Sequence, residues 1–352
     1  DVMSIERITL TQFIIEEQRR IKGASGDFSL LLSDIVTACK VISHLVSRGG
    51  LDAADEDPRH YLERAASDAI VKSTVWTGRL AGLASKSNDA MTPIPARYPR
   101  GNYLLVFDPL NGSGNLDINF MSGTIFSVLR APAGTQKVTD ADFFQPGSRM
   151  VAAGFMLYGA STRLVLTTGN GVNVFMLDRE IGEFVLTHPR VEIPDNAATF
   201  AINASNERFW EPPVRRYVKE CLAGKTGPRA RDFGMRWVAS LIAEAYRVLV
   251  RGGVFLYPVD DKTRDQGGRL WLLHQASPIA FIMEQAGGGA ITGRGRLLDV
   301  EHTDLHQRTP LIFGSKSEVE LIHGYHQDYI EGRDNDNYDL PLFGNRSLFR
   351  NE

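Results

Sequence analysis

Residues 103–117, Tyr-Leu-Leu-Val-Phe-Asp-Pro-Leu-Asn-Gly-Ser-Gly-Asn-Leu-Asp, read as a strand that runs straight into an anion-binding turn. The β-favouring run Tyr103 to Phe107 delivers Asp108 to a strand end, Pro109 fixes the backbone after it, and Gly112-Ser113-Gly114 can turn several N–H groups toward an anion. Beside carboxylates, a turn of this kind brings a divalent cation and a phosphate ester together. Here the anion cradle is intact, but Asn111 is neutral where a second carboxylate would serve the cation. Taken alone, the same residues also suit a structural Asx-turn.

A chain of 352 residues exceeds one ordinary small core and predicts two domains or one large α/β unit. A hydrophobic content of 43%, a charged content of 23% and a formal charge of −3 describe a globular protein without the basic stripe that nucleic acid requires. Cys39 and Cys221 have neither metal-ligand spacing nor a CxxC neighbour, so free buried thiols in a reducing compartment are expected. The N-terminal segment lacks a signal-peptide layout, and no apolar run is read as reaching the ~20 residues of a membrane span. A cytoplasmic location, with neither membrane nor nucleic acid as partner, is the resulting expectation.

Apolar residues Phe28, Leu31, Ile35, Cys39, Ile42 and Val46 recur at helical spacing up to Gly49-Gly50, and Asp57-Pro58 opens a second helix. Strands are expected at 80–84, 103–108, 124–130, 151–158, 164–168 and 172–177, with Gly169-Asn170-Gly171 as a tight turn. Helices at 210–222, 235–251 and 278–286 then alternate with strands at 254–257 and 311–313. The fold class is therefore α/β with layered α+β character: a mixed sheet with helices, plus a smaller α/β domain. The expected boundaries are an N-terminal domain over 1–192, a C-terminal domain over 193–326, and an acidic, flexible tail over 327–352. Apolar islands at Phe343 and Phe349 leave docking of that tail on a neighbouring subunit open.

Several segments in order carry a family resemblance: Leu83-Ala84-Ser85-Lys86-Ser87, Arg100-Gly101-Asn102-Tyr103, Phe107 to Ser113, Gly123 to Ser127, Gly253 to Pro258, Glu284 to Gly288 and Leu305 to Arg308. Together they resemble class I fructose-1,6-bisphosphatase in its bacterial form, from about Ile8 to about His326. The resemblance implies a two-domain sugar-phosphatase fold, a homotetramer, and magnesium-assisted hydrolysis of the 1-phosphate of fructose 1,6-bisphosphate in carbohydrate metabolism. It further implies that Gly112 and Ser113 hold the 1-phosphate. Asn203, Arg236, Tyr257 and Arg269 would hold the sugar and its 6-phosphate, and Leu241 would line the sugar pocket. Asp108 and Leu110 fall at metal-ligand positions, and Glu63 stands where an Asp helps activate the attacking water.

The sequence departs from the family pattern at the cation site. Lys86 and Ser87 fall on a Glu-Glu pair, Asn111 on the second Asp of the turn, Gln275 on the Glu of Leu-Tyr-Glu, and Trp271 on a typical Arg. The positions 86, 87, 108, 111 and 275 therefore sum to no net charge, which predicts no magnesium or only weakly bound magnesium, and an ion pair between Lys86 and Asp108 in its place. Trp237 and Asn206 both replace family tyrosines, so sugar-phosphate binding is expected to persist in weaker form. Gly26-Asp27-Phe28-Ser29 and Tyr103 match parts of the family's AMP site, whereas Asn102 replaces its lysine. His274 and His306 are read as hydrogen-bonded structural residues.

Two functional readings follow. The first is an inactive or severely impaired homologue that keeps fold, oligomer and binding of fructose 1,6-bisphosphate or fructose 6-phosphate, with an active paralogue or another protein as a further partner. The alternative is a functioning sugar-bisphosphate phosphatase with weak or altered metal-dependent activity.

Overall fold

The structure is a computed structural model and describes residues 7–20 and 25–333. Three helices lead the chain: α1 (Leu10–Arg20), α2 (Gly26–Ser47) and α3 (Pro58–Thr74). Strands β1 (Leu80–Ser85), β2 (Thr92–Pro93), β3 (Tyr103–Asn111), β4 (Ser122–Arg130), β5 (Ala152–Tyr158), β6 (Thr162–Thr167), β7 (Val172–Asp178) and β8 (Glu183–His188) form one eight-stranded sheet in the order β2-β1-β3-β4-β5-β6-β7-β8. Only β1 and β3 pair in parallel; the other neighbours are antiparallel. The sheet is therefore mixed.

The second part contains β9 (Thr199–Ala201), α4 (Pro212–Leu222), β10 (Gly234–Met235), α5 (Leu241–Arg251), β11 (Val254–Tyr257), β12 (Leu270–Trp271), α6 (Ser277–Gln285), β13 (Gly289–Ile291), β14 (Arg308–Thr309), β15 (Leu311–Gly314) and α7 (Lys316–Ile330). A five-stranded sheet runs β10-β9-β11-β15-β13, and β12 pairs with β14 alone.

Strand periodicity explains how these parts stack. All nine residues of β3 are buried, because both faces of its sheet are covered. Tyr103, Leu105 and Phe107 pack against α1, α2 and α3, while Leu104 and Val106 turn to the other side. There they meet Leu241, Ile242 and Ala245 of α5, Ile279 and Phe281 of α6, and Phe255 and Phe313 from the second sheet. The opposite face of that second sheet, with Phe200, Leu256 and Ile312, is covered by Val214 and Tyr217 of α4 and Ile322 of α7. The result is five layers, helix–sheet–helix–sheet–helix.

Several elements differ from the sequence reading. The helix expected from Met235 begins at Leu241: Met235 pairs with Phe200 in β10, Ala239 takes a positive φ of 51°, and Ser240 accepts a bond from the Ala243 amide as the cap. Trp210 likewise lies before its helix, which opens on Pro212. Helix α1 and strands β8 and β9 have no counterpart in the sequence reading. The tail expected from Gln327 is helical through Ile330, and its apolar islands at Phe343 and Phe349 lie outside the described residues. Helix α2 also corrects the membrane argument, since its 22 residues are long and apolar enough to cross a bilayer. Its buried Leu31, Leu32, Ile35, Cys39 and Ile42 instead face the sheet as a core helix does. Cys39 and Cys221 are free and buried.

Gly123 sits on β4 opposite Asn111, where an added Cβ would come to 1.9 Å from the Met156 carbonyl oxygen. Gly123→Ala is expected to cost about 3 kcal/mol, measured as a lower urea midpoint, because backbone rather than a flexible side chain must move.

Candidate functional site

Parallel pairing of β1 with β3 creates the site. Ser85 lies opposite Phe107, and the Lys86 amide donates to the Phe107 carbonyl at 3.0 Å, so the residues just after β1 run beside Asp108. Asp108 shares the face of Leu104 and Val106 and points toward the central helical layer. From that layer a π-helical turn, Leu272–Ala276, brings in Gln275 just ahead of α6. Such turns often mark sites where local geometry has been adjusted for function.

Asp108 is 1% exposed, and its carboxylate has three partners from the chain. Gln275 Nε2 and Asn111 Nδ2 donate to Oδ2 at 2.9 and 3.0 Å, and Lys86 Nζ lies 3.8 Å from Oδ1. Gln275 is itself fixed, because its Oε1 accepts the Trp271 amide at 3.1 Å. A buried carboxylate without such partners would be costly, so these contacts are what hold Asp108 inside the fold.

The turn after β3 lies alongside. Gly112 adopts a left-handed φ of 77° and starts the 3-10 turn Ser113–Ile118, whose first amides have no partner within the turn. Ser113 is buried, and its hydroxyl donates to Glu63 Oε1, while Arg59 Nε reaches the same oxygen at 3.4 Å. Glu63 comes from α3, so helix and turn meet across 50 positions of sequence. Asn115 Nδ2 donates to the Ala239 carbonyl at 3.1 Å, which seats the turn against the loop leading into α5. Ser87 follows on the partly exposed side, its amide donating to Ser85 Oγ at 3.2 Å.

The proposed sugar residues divide between two places. Asn203, Tyr257 and Arg269 line one cleft, together with Asn206, Asp260, Lys262 and Thr263. Arg236 does not line it; this exposed residue bonds the Met235 carbonyl and follows an edge strand rather than opening a helix. Leu241 is buried in the central core at the first turn of α5, and Leu110 is buried on the helix-facing side of β3. Phe28, near the start of α2, lies beside Tyr103 with ring centroids 5.8 Å apart.

His274 corrects the expectation of an ordinary hydrogen-bonded residue. His274 is 0% exposed within the π turn, neither of its ring nitrogens has a partner, and the His306 ring lies 5.7 Å away. Burial, reinforced by His306 and Lys86, pushes its pKa from 6.5 down to about 3, so the folded imidazole stays neutral. Lys262 is the residue that sequence reading missed outright, because only the fold carries it to the cleft of Arg269.

The chain matches known proteins along most of its length. Residues 8–189 match the family profile "Fructose-1-6-bisphosphatase, N-terminal domain", and residues 193–327 match "Fructose-1-6-bisphosphatase, C-terminal domain". The chain belongs to the fructose-1,6-bisphosphatase family. It is 52% identical to a class 1 fructose-1,6-bisphosphatase of Hydrogenophilus thermoluteolus over 98% of both chains. Among solved structures it is similar to Leishmania major fructose-1,6-bisphosphatase in the holo form, with a TM-score of 0.83 and 36% identity over 91% of this chain and 99% of that one. The T-state structure of the same enzyme gives 0.83 and 37%, over 91% and 98%.

Membership corrects two expectations. The family is metal-dependent, which overturns the assignment of no magnesium or only weakly bound magnesium. Inactivity is likewise unsupported, since the 52% identical relative is a class 1 fructose-1,6-bisphosphatase. The residues around Asp108 nevertheless do not fit a hard dication as arranged: the carboxylate is occupied by Lys86, Asn111 and Gln275, and the described residues contain no cluster of three or more His, Cys, Asp or Glu side chains able to hold a metal.

A pH effect follows from His274. Above pH 6.5 it is neutral in both states and costs nothing; as pH falls from 6.5 toward 3, the unfolded chain takes up a proton that the folded chain refuses. Stability should therefore fall with acidification across that window, and His274→Leu should flatten the dependence of melting temperature on pH.

Proposed function

We propose that the chain is a functioning sugar-bisphosphate phosphatase that converts fructose 1,6-bisphosphate to fructose 6-phosphate, with metal-dependent activity altered at the Asp108 site. The observation that carries this reading is the intact phosphate turn with its Glu63–Ser113 contact, in a chain 52% identical to a class 1 fructose-1,6-bisphosphatase. The reading includes a homotetramer, as the family resemblance implies.

In this reading the 1-phosphate lies on the amides of Gly112 and Ser113, which offset charge on the transferring phosphoryl group. Glu63 orients the Ser113 hydroxyl and is placed to accept a proton from an incoming water. Lys86 supplies positive charge next to Asp108, where it offsets that carboxylate and lets an anionic ester approach. Asn203, Tyr257 and Arg269 hold the far end of the sugar. The substitutions at 86, 87, 111 and 275 alter the cation requirement rather than the phosphate grip.

Phosphate release from fructose 1,6-bisphosphate, measured across magnesium and manganese concentrations, tests the reading. Release that exceeds the enzyme-free blank and rises with added divalent cation is expected; no release under any of these conditions contradicts it. The variant K86E/S87E/N111D/Q275E should release phosphate at least about tenfold faster in magnesium while keeping its fold by circular dichroism.

A further inference from the structure

The cleft lined by Asn203, Asn206, Tyr257 and Arg269 also contains Lys262, to which the sequence assigns no role. An exposed lysine alone is an ordinary solvated side chain, but three features separate this one. Its ammonium donates to Asn206 Oδ1 at 3.2 Å and sits 5.1 Å from the centre of the Phe209 ring, which together hold it over the cleft. The carboxylates adjacent in sequence have partners of their own: Asp260 Oδ1 accepts from the amides of Lys262 and Thr263 and from the Thr263 hydroxyl, and Asp261 pairs with Arg264 at 2.6 Å. Neither Lys262 nor Arg269 forms an ion pair with a carboxylate among the described residues; the Arg269 guanidinium lies 5.3 Å from the centre of the Tyr257 ring, and its carbonyl accepts from Arg308.

Lys262 and Arg269 therefore share one cleft with the Asp260 carboxylate, whose Oδ1 is already taken by two amides and the Thr263 hydroxyl, and with the neutral donors of Asn203, Asn206 and Tyr257, which leaves the lining a net positive charge. Elsewhere on the chain Arg229 and Arg231 are balanced by Glu318, and Arg294 by Glu211. A cleft whose lining carries a net positive charge suits a compact dianion.

We propose that Lys262 is a specificity-determining residue that, with Arg269, grips a phosphate monoester at the end of the sugar remote from the hydrolysed bond. The anion assignment stands on the net positive charge of the cleft; naming the sugar rests on the phosphatase reading above. Lys262 replaces, as cation donor, what Asn206 cannot give: the amide fixes the ammonium, and the ammonium meets the phosphate. Arg269 brings a planar fork to the same oxygens.

The test is calorimetric titration of the full chain with fructose 6-phosphate, inorganic phosphate and fructose, for wild type, K262M, K262Q and K262R. Both neutral variants should weaken fructose 6-phosphate binding about tenfold, K262R should stay within about threefold of wild type, and fructose should respond equally to all four. Turnover should separate in the same way, with KM for fructose 1,6-bisphosphate raised and kcat kept. Wild-type affinity for fructose 6-phosphate in either neutral variant, with the fold confirmed by melting temperature, overturns the proposal. If wild type binds inorganic phosphate through Lys262 but not fructose 6-phosphate, the anion site stands and the sugar-phosphatase reading fails. If it binds neither, both fail.

Discussion

The site depends on one buried carboxylate that must be neutralised inside the fold. Asp108 lies at the end of a strand covered on both faces, where an unpaired charge would cost several kcal/mol. Its three donors arrive from three segments: Lys86 after β1, Asn111 from β3 itself, and Gln275 from the π turn before α6. The same contacts bring the N-terminal sheet, the central helices and the phosphate turn to one point. Removing any donor would disturb more than a single hydrogen bond.

Architecture extends this constraint to the substrate. The phosphate turn rests on the loop before α5 through Asn115 and Ala239, and α5 is anchored by Ile242, Ala245 and Val248 between the two sheets. Glu63 reaches Ser113 from the helical layer on the other side. The turn is thus supported from both faces of its own sheet, which explains how loop residues can keep a fixed geometry. Lys262 and Arg269 belong to the second sheet's end of the molecule, so the two ends of a bisphosphate fall to different structural parts.

Much of this was legible in the chain itself, and the failures have physical causes. The strand Tyr103 to Asp108, the hairpin at Gly169-Asn170-Gly171 and the helix opened by Asp57-Pro58 all carry strong local signals that tertiary contacts reinforce. Met235 was misread because apolar spacing continues smoothly into α5, while Ala239 and Ser240 break the helix through backbone conformation and capping. Strand β9 has three residues and too little pattern to detect. The unpartnered ring of His274 and the absence of an ion pair to Lys262 among the described residues depend on what does not contact them, which no linear spacing records. Charge counting at five positions foretold the Lys86–Asp108 contact but overreached when extended to the activity and cofactor of the whole protein.

The central claim is that Lys86 and Asp108 interact as a functional ion pair within the folded protein. A double-mutant cycle with Lys86→Met and Asp108→Asn, read by urea denaturation, measures this directly. A coupling of about 1 kcal/mol is predicted, because losing Lys86 should cost less once the carboxylate is gone. Effects that add within about 0.3 kcal/mol would contradict the account.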